Sequence, residues 1–342
     1  MLLVFDIGTE AVKAIIFKKE KQNYVIVGYF SEYFDRFGVF DSRDFEKDVL
    51  KKAILKVCKA LESQVDPKKT IILWSFPPNF LKARVILQTQ RRSNFKNNID
   101  GREEKEISQA VLKEAKQKIF QDFAKISGIL PQDLEVLSQE IIEIKIDGYG
   151  APKLQGYKGE NLELRILTIF IPKYYLQNFK KIIKDLGLEI FKIIHPAQNI
   201  NQALRRKDAI FLDIGGEVTQ IFLIRNGVLE VIDDFEMGGR DFSRLLSQTL
   251  GLNEEESRVL KENYSNGVLS EESRWKIKEL FSEVAKEWKS RLKSKLKSLK
   301  GLLPQTFFLY GGGSRLPEIE EVLSEEGWEV KYQSNIASLW LK

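Results

Sequence analysis

The sequence predicts an α/β protein with two related lobes and a small α+β insertion in the first lobe. Three observations support this prediction: the chain length, a repeated segment, and a glycine-rich turn near the end. At 342 residues the chain is too long for one ordinary core. The segment 3–10, Leu-Val-Phe-Asp-Ile-Gly-Thr-Glu, recurs at 210–217 as Ile-Phe-Leu-Asp-Ile-Gly-Gly-Glu. A repeat this far along the chain indicates a duplicated architecture.

Each copy of the repeat predicts a β-hairpin. In both copies an apolar run precedes Asp-Ile-Gly, and a second apolar run follows at 14–17 and at 221–224. Short apolar runs on either side of a glycine turn favour a strand, a tight turn and a second strand. The alternative is a chance match, in which each aspartate would only cap a turn.

The segment between the two copies predicts an α+β insertion over residues 79–165. Residues 79–101 are polar and basic and are predicted to form an entry loop. Residues 103–127 show helical spacing and end before a glycine, a common helix stop. Alternation at 142–147 and an apolar run at 162–171 predict two strands.

The remaining elements complete the two lobes. Helices are predicted at 173–186, 241–250, 254–263 and 271–300, the last stretch as a basic pair, and a strand is predicted at 306–310. We expect the first lobe to hold residues 1–78 and 166–198, the second to hold 199–330, and residues 331–342 to return to the first lobe.

The aspartates of the hairpin turns predict a phosphate and magnesium site. Glycines at 8 and 215 let backbone N–H groups approach a phosphate closely. Asp6 and Asp213, each at a strand end, are suited to hold Mg²⁺ through water. Lys13 can return along the second strand to neutralise phosphate charge. Neither a G-x-x-x-x-G-K-[ST] loop nor a G-x-G-x-x-G turn after a strand is present.

A third glycine cluster, Gly-Gly-Gly-Ser-Arg-Leu-Pro at 311–317, follows a predicted strand and precedes a helix. This layout brings backbone close to a flat ligand, and the Arg315 guanidinium can stack on an adenine ring. A plain strand-to-helix turn is the alternative for the cluster taken alone.

Composition excludes several classes of protein. The single cysteine, Cys58, rules out internal disulfides and multi-cysteine metal sites. The net charge of +5 is mild, so no nucleic-acid partner is expected. No signal-peptide layout and no membrane-spanning apolar run is present, and we expect a cytoplasmic protein.

The order of four motifs resembles the superfamily of actin, sugar kinases and heat-shock chaperone ATPases. These motifs are Asp-Ile-Gly-Thr at 6–9, Asp-Ile-Gly-Gly at 213–216, Gly-Gly-Arg-Asp-Phe at 238–242, and the cluster at 311–317. The resemblance covers nearly the whole chain. It implies the two-lobed actin-like ATPase fold, with ATP and Mg²⁺ as cofactors.

The same resemblance implies roles for individual residues. Asp6 and Asp213 would lie near the magnesium and serve catalysis, Lys13 would contact phosphate, and Lys261 would flank the ribose. The full set implied to bind nucleotide is Gly8, Thr9, Lys13, Gly215, Gly216, Thr219, Gly238, Gly239, Lys261, Gly311, Gly312, Gly313, Ser314 and Arg315.

His195 stands where many superfamily members carry the glutamate of a Glu-Pro pair, which positions the attacking water. Histidine can act as a base, and His195 is therefore a tentative catalytic residue. A structural polar residue before Pro196 is the favoured alternative. The substitution predicts a slow ATPase at most. Two further departures are Arg258, in place of a ribose-side glutamate, and Glu217, in place of a turn glycine.

Within the superfamily the FtsA and PilM branch is the most similar. The stretch 146–164 resembles the inserted SHS2 domain of FtsA, so the insertion is expected to be SHS2-like. We expect the chain to lack FtsA's membrane-binding C-terminal helix, so the terminus favours PilM while the insertion favours FtsA. Membrane association is therefore expected to be indirect, at the cytoplasmic face of the inner membrane.

The resemblance leaves three functions open. The first is an FtsA-like scaffold for cell division, which assembles with itself or with division proteins through residues 79–165. The second is a PilM-like component of type IV pilus assembly. The third is a small-molecule kinase, which needs an aspartate base beside the acceptor hydroxyl, and the sequence offers no convincing candidate. A chaperone is disfavoured, because no substrate-binding domain follows residue 342.

Overall fold

The computed structural model describes residues 1–21, 23–40, 44–200 and 208–332. The first five-stranded sheet contains β1 (Leu2–Ile7), β2 (Ala11–Glu20), β3 (Asn23–Tyr33), β4 (Ile71–Ser75) and β9 (Lys192–Ile193). The strand order is β3-β2-β1-β4-β9, with β1 antiparallel to β2 and parallel to β4. The apolar run at 3–5 is fully buried because both faces of this central strand are covered.

The second five-stranded sheet repeats this topology. Its strands are β10 (Ala209–Ile214), β11 (Thr219–Arg225), β12 (Val228–Phe235), β13 (Thr306–Tyr310) and β14 (Glu329–Tyr332). The order is β12-β11-β10-β13-β14, with β10 antiparallel to β11 and parallel to β13. The predicted duplication and both predicted hairpins are therefore confirmed.

Helices cover the two sheets. The first lobe has α1 (Lys47–Leu61) and α3 (Lys173–Asp185), and the second has α4 (Gly239–Leu250), α5 (Glu254–Ser265), α6 (Glu271–Lys297) and α7 (Pro317–Ser324). The predicted basic helix pair at 271–300 is wrong, since α6 is one continuous helix. Its apolar stripe, including Trp288, Leu292 and Leu296, is buried in the second-lobe core, with lysines on the outer side.

A third, four-stranded antiparallel sheet forms the insertion. Its elements are β5 (Lys82–Arg91), α2 (Gly101–Ser127), β6 (Leu134–Ile146), β7 (Tyr149–Gly150) and β8 (Asn161–Pro172), with strand order β5-β8-β6-β7. The predicted entry loop at 79–101 is wrong for residues 82–91, which form β5. The last strand, β8, runs through position 165 to Pro172 without a break.

Helix α2 ends where the sequence predicted and begins two residues before the predicted position 103. The Asp100 side chain caps its first turn by accepting a hydrogen bond from the Glu103 backbone N–H at 2.8 Å. Gly128 ends it in the left-handed region, with φ of 73°. Apolar side chains at helical spacing, such as Val111 and Ala115, pack against the sheet.

Strand β3 lies at the edge of the first sheet and carries an unusual row of exposed apolar side chains. Tyr24, Val25, Ile26 and Val27 are each between 42% and 48% exposed. The pairing of β3 with β2 shifts register between Ile16 and Phe17, which places a β-bulge in the middle of the strand.

The C-terminal segment is described only in part. Residues 329–332 form β14 at the edge of the second sheet. The predicted return of residues 331–342 to the first lobe lies, from 333 onward, outside the described residues. In the part of the chain that the structure describes, no helix is long and apolar enough to cross a membrane.

Candidate functional site

A cavity of about 690 Å³ lies between the two lobes, where the turns of the duplicated hairpins face each other. The turn after β1, the turn after β10 and the turn after β13 form its walls, and α5 closes one side. The residues predicted for a nucleotide site that line this cavity are Asp6, Gly8, Thr9, Lys13, His195, Asp213, Gly215, Gly216, Lys261, Gly311, Gly312, Ser314 and Arg315.

The two hairpin turns have the same backbone geometry. Gly8 N–H donates to the Ala11 carbonyl at 2.9 Å, and Gly215 N–H donates to the Val218 carbonyl at 3.0 Å. The first lobe carries a charged pair beside its turn, because Asp6 on β1 lies opposite Lys13 on the antiparallel strand β2.

In the second lobe the partner of the aspartate differs. Asp213 lies opposite Gln220, a buried residue that also lines the cavity. Sequence reasoning missed Gln220, although the hairpin repeat contains the signal for it: Gln220 occupies the place of Lys13. The lobes are therefore duplicated in backbone but not in charge.

The electrostatics of the cavity favour a bound cation. Burial and the nearby Asp6 carboxylate raise the pKa of Asp213 to about 7, against the opposing effect of Lys13. Burial also raises the pKa of Asp6, while Lys13 and Ser75 oppose that rise. Burial alone would lower the pKa of Lys13, but Asp6 and Asp213 raise it, so Lys13 stays charged. Two neighbouring carboxylates repel each other when both are ionised, and a bound divalent cation would relieve that repulsion.

The donor set suits magnesium held mainly by water and phosphate. Within the described ranges, no group of three or more His, Cys, Asp or Glu side chains forms a ready-made metal cluster. Mg²⁺ binds through one or two carboxylates and keeps several waters, often with phosphate oxygens as further ligands. Asp6 and Asp213 therefore fit Mg²⁺ bound together with a polyphosphate, and they fit a free metal poorly.

Glycines bring the three turns together behind the cavity wall. A Cβ on Gly238 would lie 2.5 Å from the carbonyl oxygens of both Gly215 and Gly216. Gly239 N–H donates to the Gly215 carbonyl at 2.8 Å. Gly311 has a φ of 86°, and a Cβ there would lie 2.4 Å from the Ile214 carbonyl oxygen.

Four residues predicted to bind nucleotide lie away from the cavity surface. Gly238, Gly239 and Gly313 support the turns from behind. Thr219 is fully buried, and its hydroxyl donates to the Met237 carbonyl at 2.8 Å while accepting from Trp288 Nε1 at 2.9 Å. Both hydrogen-bonding functions of Thr219 are thus taken by the core. Strand alternation explains its position, because its neighbours Val218 and Gln220 line the cavity.

The lobes are bridged beside the cavity by charged side chains, and sequence reasoning named Lys261 and Arg258 among them but missed their partners in the first lobe. Lys261 Nζ donates to Glu10 Oε1 at 3.3 Å and to the Gly239 carbonyl at 3.0 Å. Burial opposes ionisation of Glu10, but Lys261 and Arg240 lower its pKa overall. The Arg258 guanidinium lies 4.0 Å from the centroid of the Tyr33 ring.

Arg240 is the most deeply placed of these bridges and is fully buried. It donates to the Thr9 carbonyl at 2.8 Å and to the Arg36 carbonyl at 2.7 Å, both in the first lobe. It also forms a buried ion pair with Glu254 in its own lobe. Arg240 therefore fixes the backbone of the first hairpin turn against the second lobe.

His195 lies at the lobe crossing and is almost fully buried. Its Nδ1 accepts a hydrogen bond from the Ala197 backbone N–H at 3.1 Å, which caps a short 3₁₀ turn at Pro196–Gln198. Burial and the nearby Arg84 lower its pKa to about 3. A neutral imidazole with so low a pKa is a weak proton acceptor, which favours the structural interpretation of His195.

The fold and the hairpin cavity together define an actin-like ATPase fold, and solved structures bear this out. The PilM–PilN type IV pilus biogenesis complex matches with a TM-score of 0.69 at 16% identity, covering 98% of this chain and 89% of that one. MreB5 of Spiroplasma citri, solved with AMPPNP and with ADP, matches with a TM-score of 0.50 at 10% identity, covering 99% of this chain.

Sequence comparison adds a distant relationship to the cell division protein FtsA. The FtsA of Streptococcus pneumoniae is 24% identical over 94% of this chain and 72% of its own length. The FtsA of Staphylococcus epidermidis is 24% identical over 76% of this chain, which covers 54% of that protein. No family model matches the chain.

Proposed function

We propose that the chain binds ATP with Mg²⁺ in the inter-lobe cavity and works as a nucleotide-gated scaffold. One observation carries this proposal: two hairpin turns of the same backbone geometry face each other and place Asp6 and Asp213 in one cavity. The turn amides would hold the phosphates, Asp6 and Asp213 would hold Mg²⁺ through water, and Lys13 would neutralise phosphate charge. The bound metal supplies charge neutralisation at the phosphates.

Other residues of the cavity lining suit the nucleoside. Arg315 and the glycines at 311 and 312 line the cavity from the turn after β13, and Lys261 lines it from α5. Arg315 would stack on the base and Lys261 would meet the ribose. Lys261 is already paired with Glu10, so its ammonium is held in place before a ligand arrives. Gly238, Gly239, Gly313 and Thr219 are proposed to act indirectly, by supporting the turns.

We assign the scaffold first to cell division, in an FtsA-like role at the cytoplasmic face of the inner membrane. The 24% identity to FtsA over 94% of the chain supports this assignment. Division proteins, or further copies of the chain, would bind through the insertion at 79–165, and the membrane would be reached through such partners. The depressed pKa of His195 supports a slow ATPase at most.

A PilM-like role in type IV pilus assembly is the second candidate. The observation that favours it is the fold match to PilM over 98% of this chain. Deleting the gene in its own bacterium separates the two roles. Filamentous undivided cells with normal pili support division, whereas normal division without surface pili supports pilus assembly.

Calorimetric titration with ATP, with and without Mg²⁺, tests nucleotide binding. We expect Mg²⁺-dependent binding by the wild-type chain, weaker binding by Asp213→Ala, and little turnover. Asp122→Ala is the matched control, because it removes an exposed carboxylate on α2. Absence of ATP binding by the folded wild-type chain would overturn the proposal.

A further inference from the structure

A row of polar side chains crosses the second sheet from the cavity toward the insertion. Asp213 on β10 lies opposite Gln220 on β11, and Gln220 lies opposite Asp234 on β12. Directly opposed residues on neighbouring strands share a face, with Cβ atoms about 4.5–5.5 Å apart. The three residues therefore form a continuous line from the proposed magnesium site to the edge of the second sheet.

The far end of this row is tied to the insertion by a largely buried ion-pair cluster. Asp234 accepts from Lys82 Nζ at 2.8 Å and from Arg84 Nη2 at 3.0 Å, and both cations lie on β5. The side chains of Lys82 and Asp234 are only 11% and 12% exposed. A second link joins the same surfaces, since Arg165 on β8 pairs with Glu230 on β12 at 3.2 Å.

Strand β12 is thus placed to transmit movement in both directions. On one side it carries the insertion through Asp234 and Glu230. On the other it leads directly into Gly238 and Gly239, which hold the second phosphate turn. Separating β5 from β12 would leave buried charges without partners, a costly arrangement, so the two strands move together.

We propose that the Asp234 ion-pair cluster couples the insertion to the nucleotide cavity, with Gln220 as the positioning residue between them. Docking of the insertion fixes β12, and β12 fixes Gln220 beside Asp213. A protein that binds the insertion then changes nucleotide affinity, and by linkage the nucleotide changes that protein's affinity by the same factor. This inference rests on the proposed ATP site and names how that site is regulated.

Hydrogen exchange on the wild-type chain, with and without ATP and Mg²⁺, is the first test. We expect ATP to change amide exchange in β5 and β12, although β5 contributes no residue to the cavity lining. If ATP binds but exchange in β5 and β12 is unchanged, the coupling is refuted. If ATP does not bind, the proposed function fails instead, so the two failures are distinguishable.

Charge variants give the second test. Arg84→Gln removes one of the two cations on Asp234 and keeps the shorter Lys82 contact, so the fold is retained. We expect the affinity for ATP to fall by roughly fivefold or more, which is the range of typical coupling between sites. We also expect a smaller exchange response in β5. Asp234→Asn should have a larger effect of the same kind.

A matched surface pair provides the control for these variants. Lys278 and Glu321 form an ion pair at 2.7 Å that joins α6 to α7 and is about half exposed. Lys278→Gln should leave ATP binding and the exchange response as in the wild type. If Arg84→Gln behaves like this control in both measurements, the Asp234 cluster does not couple the insertion to the cavity.

Discussion

Acidification tests the environment of His195, the only histidine of the chain. Its folded-state pKa of about 3 lies below the ordinary value of 6.5, because burial and Arg84 disfavour the charged ring. A group with a depressed pKa binds fewer protons when folded than when unfolded. For histidine this means that stability is complete above about pH 6.5 and is lost as the pH falls toward 3.

The size of the loss follows from the two pKa values. At pH 5.5 about ten of eleven unfolded molecules carry a proton on this ring, while the folded ring stays neutral. The contribution of His195 to the free energy of unfolding is then lower by RT ln 10, about 1.4 kcal/mol, than at pH 7.5. Asp213, with a pKa raised to about 7, also titrates in this range, so the contribution of His195 is isolated by comparing the wild type with a variant that lacks the ring.

Urea denaturation at both pH values measures the loss, with His195→Asn as the matched variant. Asparagine keeps a side-chain acceptor for the Ala197 N–H but cannot titrate. We expect the wild type to lose about 1.4 kcal/mol more than the variant on acidification. The ring proton resonances of a single histidine also report its pKa directly. An ordinary pKa near 6.5, or equal losses in both proteins, would refute the proposed environment.

Three further substitutions test the packing of the site. Arg240→Ala leaves a buried carboxylate unpaired and should cost about 3–5 kcal/mol in thermal unfolding, whereas Arg244→Ala, whose side chain is partly exposed, should cost far less. Gly238→Ala would push the segment at 238–239 away from the carbonyls of Gly215 and Gly216, and should cost about 1–3 kcal/mol of stability and weaken ATP binding; Gly150→Ala, with open space around it, should do neither. Trp288→Phe removes a buried indole donor and should lower stability by about 1–3 kcal/mol without changing ATP affinity, because the Thr219 hydroxyl keeps its hydrogen bond to the Met237 carbonyl; a changed affinity would show that the turn also depends on the Trp288 contact.

The duplicated hairpins were predictable because their signal is local. Apolar runs around Asp-Ile-Gly determine strand, turn and strand without help from distant residues. The C-terminal end of α2 was predictable for the same reason, since Gly128 ends the helix locally, whereas the start of the helix was placed two residues too late.

Strand β5 was missed because its charged side chains pair with a residue that is distant in the sequence. Lys82 and Arg84 suggested a solvated loop, but both meet Asp234 from a distant strand. A local sequence pattern does not show such a partner. A charged residue of a buried ion pair is therefore mistaken for a solvent-exposed residue. The contact between Glu10 and Lys261 was invisible for the same reason.

The sequence also could not predict which residues of each motif line the cavity. The motif at 213–216 identified the turn, but the alternation that directs Gln220 inward and Thr219 into the core depends on where the turn ends. The glycines at 238 and 239 were recognised as part of a motif, while their position behind the turns follows from tertiary packing.

The bulge in β3 has a consequence for how the protein behaves at high concentration. An exposed sheet edge with consecutive apolar side chains is a template on which another chain can add a strand, and this leads to aggregation. The register shift at Ile16 and Phe17 breaks the regular spacing of backbone donors and acceptors along that edge. A foreign strand would therefore find only short regular stretches to pair with. Many edge strands avoid such pairing by carrying charged side chains, but the stretch 24–27 contains no charged residue. Here the bulge is the feature that opposes aggregation.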